Sequence, residues 1–135
     1  MIGNNSMAMD RFIRLKGYQP PKDAQELFER YKKGERYFVE SEMPDSSSFV
    51  DMDLSECNFE DSWFFDADFT GANLVGVIFD KCNVKCAIFS NANLSLASFR
   101  EATVEAAVFD GSVLDNVSFE GARYYGAVLG KGDHP

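Results

Sequence analysis

The chain has 135 residues, enough for one domain, with 13 basic and 22 acidic side chains and a formal net charge of −9. That balance argues against direct binding to a phosphate backbone, which needs Lys and Arg, and there is no apolar run of about 18 residues to span a membrane. Three cysteines without paired spacing argue against a disulfide framework and predict reduced thiols, in keeping with a cytoplasmic location.

The charge is unevenly placed. Residues 1–46 carry eight acidic and eight basic side chains, whereas residues 47–130 carry thirteen acidic and four basic. Residues 1–19 read as a flexible N-terminal tail; Arg11, Arg14 and Lys16 are followed by no apolar stretch, so no signal peptide is expected. Pro20-Pro21 stops whatever precedes it. Asp23 with Glu26 three residues later resembles a capping box, and Ala24, Leu27, Phe28 and Tyr31 share one helical face. Lys32 and Lys33 suit the negative end of the helix dipole, and Gly34 can end the helix. The spacing predicts a helix over Asp23–Lys33. Residues 20–46 thus read as a capping helix followed by an irregular first coil. Phe38 and Met43 are five apart but Met43 and Phe49 are six apart, which places one extra residue around Pro44–Ser48.

From Phe49 to Leu129 every fifth residue is large and apolar, and the residue two before each is mostly small. In an extended segment residues two apart face the same way, so both point inward while the residue between them points out. The remaining two residues must turn the chain. The second of them is Gly at Gly71, Gly76, Gly111, Gly121 and Gly126, and Asn at Asn91 and Asn116. Both types tolerate the positive φ that a type II turn needs there. Read every twentieth residue, the large series falls into four columns. Phe49, Phe69, Phe89 and Phe109 end in Leu129; Leu54, Leu74, Leu94 and Leu114 form the second; Phe59, Phe79, Phe99 and Phe119 the third; Phe64, Val84, Val104 and Tyr124 the fourth. Four sides per coil, with like stacked on like, make residues 47–130 an all-β solenoid, and 131–135 a short tail.

The units Ala67-Asp68-Phe69-Thr70-Gly71, Ala72-Asn73-Leu74 and Ala92-Asn93-Leu94 resemble the A-(D/N)-(L/F)-x-x unit of the pentapeptide-repeat family. The resemblance implies a right-handed quadrilateral β-helix of pentapeptide repeats, here with a short N-terminal capping α-helix. Because a solenoid has raw ends, the helix is expected to lie over the first coil through Leu27, Phe28 and Tyr31. Seventeen units amount to about four coils and a rod only ~20 Å long.

Catalytic constellations are absent from the sequence, and so is any cofactor motif. The one histidine, His134, is in the tail, so Cys82 and Cys86 lack the further ligands a metal site needs. Cys57 and Cys82 occupy small inward positions. The chain therefore reads as a non-enzyme whose role lies on its outer surface. Trp63, Phe65 and Tyr125 stand on the fourth side, and Ile88, Val108 and Val128 form an apolar column on the first side. These six are the candidate interaction surface. The expected function is a non-catalytic protein–protein interaction module or scaffold with a protein partner. The alternative that the resemblance implies is an acidic mimic of duplex DNA that binds or protects a type II topoisomerase. Against the alternative, the rod spans little more than half of a ~34 Å turn of DNA. Residues 130–135 also lack the C-terminal helical dimerisation segment that the resemblance implies for topoisomerase protectors. A homodimer is expected through the C-terminal coil or the Ile88, Val108 and Val128 face, because no capping element is foreseen after Leu129; a monomer whose tail folds over that end is the competing reading.

Overall fold

A computed structural model describes residues 15–135. Helix α1 spans Ala24–Lys32. Asp23 caps it: its side chain accepts the Glu26 N–H at 2.8 Å, satisfying one orphan donor of the first turn. Lys33 ends it: its N–H donates to the Arg30 carbonyl at 3.1 Å, and the Gly34 N–H donates to the Tyr31 carbonyl at 2.9 Å. Leu27 and Tyr31 are buried, while Phe28 is only half-buried beneath the Lys32 ammonium, 5.2 Å from its ring. The Tyr31 hydroxyl reaches the second coil, 3.1 Å from the Ser55 carbonyl and 3.3 Å from Asp53 Oδ1. The backbone N–H of Ser55, followed by its hydroxyl and Tyr31, holds the Asp53 carboxyl below the ordinary value of 3.8.

The tail foreseen over residues 1–19 lies outside the described residues as far as residue 14. Beyond it the chain is anchored. The Tyr18 ring packs edge-on against Tyr37 at 4.9 Å, and its hydroxyl donates to the Val39 carbonyl at 2.9 Å. An aromatic ring with a hydrogen-bonding tip gains from both contacts, which holds the chain to the first coil before Pro20.

From Ser48 on, parallel bridges join each outward residue to the one twenty positions later: Ser48 to Asp68, Asp53 to Asn73, Asn58 to Ile78, Trp63 to Asn83, and onward to Thr103 with Arg123. Four bridges and four turns make one coil. Each coil hydrogen-bonds to the next in a fixed pattern; the Phe49 N–H donates to Asp68 at 2.7 Å and the Asp68 N–H to Ser47 at 2.9 Å. Before Ser48 the offset is 21, at Tyr37 with Asn58 and Glu42 with Trp63. The one extra residue lies between Met43 and Phe49.

The corners follow one design. The N–H after the corner closes on the large residue's carbonyl, as Met52 does on Phe49 at 3.2 Å, and the second corner residue has positive φ. Gly71 fills that position at φ 71. Leu96 and Ala106 fill it at φ 65 and 60, where an L side chain is strained. The first corner residue's N–H is outside the coil-to-coil ladder. An Asx turn satisfies it wherever the outward residue is Asp or Asn: Asp68 Oδ1 accepts from Thr70 at 2.9 Å, and Asn83 Oδ1 from Lys85 at 2.9 Å.

Inside, the Phe, Leu and Val columns are fully buried from Phe49 to Val104. Rings stack at the coil spacing, 4.8 Å for Phe49 with Phe69 and 5.2 Å for Phe89 with Phe109. The two Phe columns meet edge to face, Phe89 and Phe99 at 5.5 Å and 86°.

The C-terminal end departs from the regular pattern. Tyr125 and Gly126 both have positive φ, 49 and 81, which makes a two-residue type I′ turn in place of a coil corner. The chain reverses there. Strand β1 (Arg123–Tyr124) pairs antiparallel with strand β2 (Ala127–Val128), Arg123 opposite Val128. The Leu129 N–H then donates to Ala122 at 2.9 Å, and the Gly121 N–H to Leu129 at 2.7 Å. So Leu129 does not complete the Phe49 column, and the end has a small element that the five-residue spacing did not foresee. The tail beyond it frames a cavity of ≈ 310 Å³ lined by Leu114, Val117, Phe119, Gly132, Asp133 and His134.

Candidate interaction surface

Trp63 is held at an outward strand position by bridges to Glu42 on one side and Asn83 on the other. Its indole N–H donates to Asp45 Oδ1 at 3.2 Å, and its ring centroid lies 6.2 Å from that of Phe65. Trp63 remains 44% exposed, whereas Phe65 is half-buried. A cleft of ≈ 380 Å³ opens beside it, lined by Glu42, Met43, Pro44, Asp45 and Trp63. Asp45 reaches Trp63 because the inserted residue swings the Pro44–Ser46 corner outward. Ser46 takes a φ of 62, and its hydroxyl donates to Asp66 Oδ2 at 2.5 Å.

Ile88 and Val108 stack as expected, joined by a parallel bridge. Val128 does not continue their column. The hairpin places it opposite Arg123 and leaves it 70% exposed. Tyr125 sits at the hairpin tip, its ring 4.9 Å from Tyr124 and its N–H donating to Glu105 Oε2 at 3.1 Å. The six expected surface residues thus fall into two groups, Trp63 with Phe65 near the first coil, and Val108, Val128 and Tyr125 at the last, with Ile88 one coil inward.

The last coil adds residues that the sequence reading passed over. Val113 is 41% exposed beside Val108, ending a column that reads Asp53, Asn73 and Asn93 above it. That change from polar to apolar at an outward position was the available signal. Phe109, Leu114 and Val117 are buried residues by sequence, yet here they are only half-buried. Among the described residues, the backbone N–H groups of Phe109, Gly111, Leu114, Asn116 and Phe119 donate to no backbone carbonyl. Their counterparts one coil earlier all do, as Phe89 does to Val108 at 2.7 Å. An apolar floor with an open strand edge is a surface suited to pairing.

Other chemistry is sparse. Among the described residues no group of three or more His, Cys, Asp or Glu is placed to hold a metal ion. No helix among them is long and apolar enough to cross a membrane. Cys57 and Cys82 are buried, and burial pushes both thiols well above the ordinary value of 9.0. The Cys82 thiol donates to the Phe59 carbonyl at 2.9 Å. Cys86 is half-exposed at a corner.

Two family models of pentapeptide repeats match, one of eight copies over residues 64–100 and one of nine copies over residues 89–130. No curated protein matches the sequence. Among solved structures, the chain is similar to Rfr23, a pentapeptide repeat protein of the cyanobacterium Cyanothece 51142. The identity is 20% and the TM-score 0.63, over 69% of this chain and 63% of that one. It is equally similar to a pentapeptide repeat protein of the Arabidopsis thaliana thylakoid lumen, with 22% identity and a TM-score of 0.63, over 70% of this chain and 65% of that one. QnrB1, a plasmid-mediated fluoroquinolone resistance protein, aligns at 24% identity and TM-score 0.56 over 65% of this chain but 43% of its own. The chain thus spans less than two thirds of each of these relatives, and the likeness is one of fold, which implies a right-handed quadrilateral β-helix. With the repeat models lying on the same twenty-residue ladder that the bridges trace, the chain belongs to the pentapeptide-repeat family.

Proposed function

We propose that this right-handed, four-sided β-helix is a non-catalytic protein–protein interaction module or scaffold, and that its C-terminal coil is an assembly surface taking a second copy of the chain. The observation that carries the reading is the open edge. Phe109, Leu114 and Val117 expose part of their apolar surface beside unpaired N–H groups, and the exposed Val108 and Val113 lie on the same coil. A twofold contact would cover the same patch on both copies. Sedimentation velocity from low to tens of micromolar is expected to show a dimer. Val108→Glu with Val113→Glu should return it to monomer without loss of the folded β signal. A wild-type chain that stays monomeric throughout would remove the homodimer.

A second reading is supported by charge. The thirteen acidic against four basic residues of the repeat region suit an acidic mimic of duplex DNA acting on a type II topoisomerase. Supercoiling by gyrase with added protein tests it; no inhibition or drug protection at high micromolar protein would exclude it.

A further inference from the structure

We infer that the cleft beside Trp63 receives a cationic side chain, an arginine presented by a basic segment of a partner protein. The inference rests on the interaction-module reading and names a partner chemistry for a surface separate from the C-terminal coil.

Three features of the cleft point the same way. The first is an aromatic wall in a fixed orientation. Trp63 is pinned by the bond from its indole N–H to Asp45, and the Phe65 ring packs against it, 6.2 Å between centroids. The second is its charge. Among the described residues, Glu42 and Asp45 line the cleft and no Lys or Arg does. Among the described residues neither carboxylate has a salt-bridge partner, and Lys85, the nearest cation in the Phe65 column, is paired with Glu105 at 3.5 Å. The third is its construction. Repeat geometry alone would make a flat face here, as it does at Asn83 and Thr103; the inserted residue raises the Pro44–Ser46 corner and turns that face into a cleft of ≈ 380 Å³.

A cation over an indole face is attracted by the ring quadrupole, and a carboxylate at the same site adds a charge-assisted hydrogen bond. Arginine satisfies both at once, because its planar guanidinium can stack on the ring while its edge donates to Asp45 or Glu42. Met43, buried beneath the cleft, gives the aliphatic stem an apolar floor. A neutral or anionic side chain would leave the two carboxylates without an ionic partner.

The test is a titration of the full chain, followed by amide and indole N–H resonances, with a blocked Gly-Arg-Arg-Gly peptide. A blocked Gly-Glu-Glu-Gly peptide serves as control. The expected result is saturable shifts at Glu42–Asp45 and at the Trp63 indole, with a Kd of about 1 mM or tighter, for the arginine peptide alone. Asp45→Asn and Trp63→Leu should each weaken binding by about fivefold. The charge-matched Asp115→Asn at the far end should leave it unchanged. Trp63 is the only tryptophan and is well exposed, so Trp63→Leu is expected to keep the wild-type melting temperature; Glu42→Gln gives a second reading if it does not. Shifts spread over the whole acidic surface and weakened equally by Asp115→Asn would overturn the cleft, as would no saturation. Either of those results beside a dimer in sedimentation would remove this site and leave the interaction-module reading standing.

Discussion

The rings of Phe69 and Phe89 lie 5.1 Å apart and within 2° of parallel, one coil above the other. Aromatic pairs left to themselves favour edge-to-face or well-offset packing. Here the backbone ladder sets the spacing, and the ring pair conforms to it. The edge-to-face preference is met sideways instead, between Phe89 and Phe79 at 5.7 Å and 74°.

That rigidity governs the effect of emptying the column. Phe89→Ala should destabilise the chain by about 3–5 kcal/mol, through lost burial and a cavity that Phe69 and Phe109 cannot fill. Equilibrium urea unfolding measures it. A midpoint unchanged from wild type would mean that the ring is not part of the packed interior.

Leu96 presents the opposite case. It is 62% exposed and sits at a corner with φ 65, so it is strained without being buried. One coil earlier Gly76 fills the same position at φ 70. Leu96→Gly should raise stability by about 0.5–1 kcal/mol, because relief of the left-handed conformation exceeds the added entropy of the unfolded chain. A lower melting temperature would show that the corner tolerates leucine at no cost.

The thiols set an alkaline limit. Burial raises Cys57 and Cys82 in the folded chain above the 9.0 of the open one. Below that value both states hold the protons. As pH rises past about 9 only the unfolded chain releases them, so stability falls, by up to about 2.7 kcal/mol per pH unit for two thiols. The Cys57→Ala, Cys82→Ala chain should lose that slope, since alanine already occupies the same inward position at Ala72 and Ala92. In the native protein at pH 8, an aromatic disulfide reagent should titrate Cys86 quickly and the other two only on unfolding; three equally fast thiols would contradict the burial.

Asp23 tests the N-terminal cap. Asp23→Ala removes the acceptor of the Glu26 N–H and should cost about 0.5–2 kcal/mol, with faster hydrogen exchange at the Glu26 amide. Unaltered exchange there would show that the first turn of α1 is held by Leu27 and Tyr31 alone.

Much of the architecture is legible in the residue order, because the direction of a side chain in a short extended segment depends only on its neighbours. Phe49, Phe69, Phe89 and Phe109 recur every twentieth residue, so one coil and its stacking can be read directly, and Asp23 with Gly34 marks the helix. The same local logic misreads the end. Tyr124-Tyr125-Gly126-Ala127 suits a coil corner as well as a type I′ turn, and the two differ chiefly in the backbone conformation of Tyr125. Within the rod the next coil's strand settles that choice; past Tyr124 the chain instead turns back onto Arg123, and Val128 pairs there rather than stacking on Val108. The Trp63 cleft has a similar origin. The six-residue step from Met43 to Phe49 is visible in the sequence, but only the pairing of Glu42 with Trp63, 21 residues apart, brings Asp45 to the indole. Spacing determines which residues face inward, while the partners of the outward ones depend on how the coils meet.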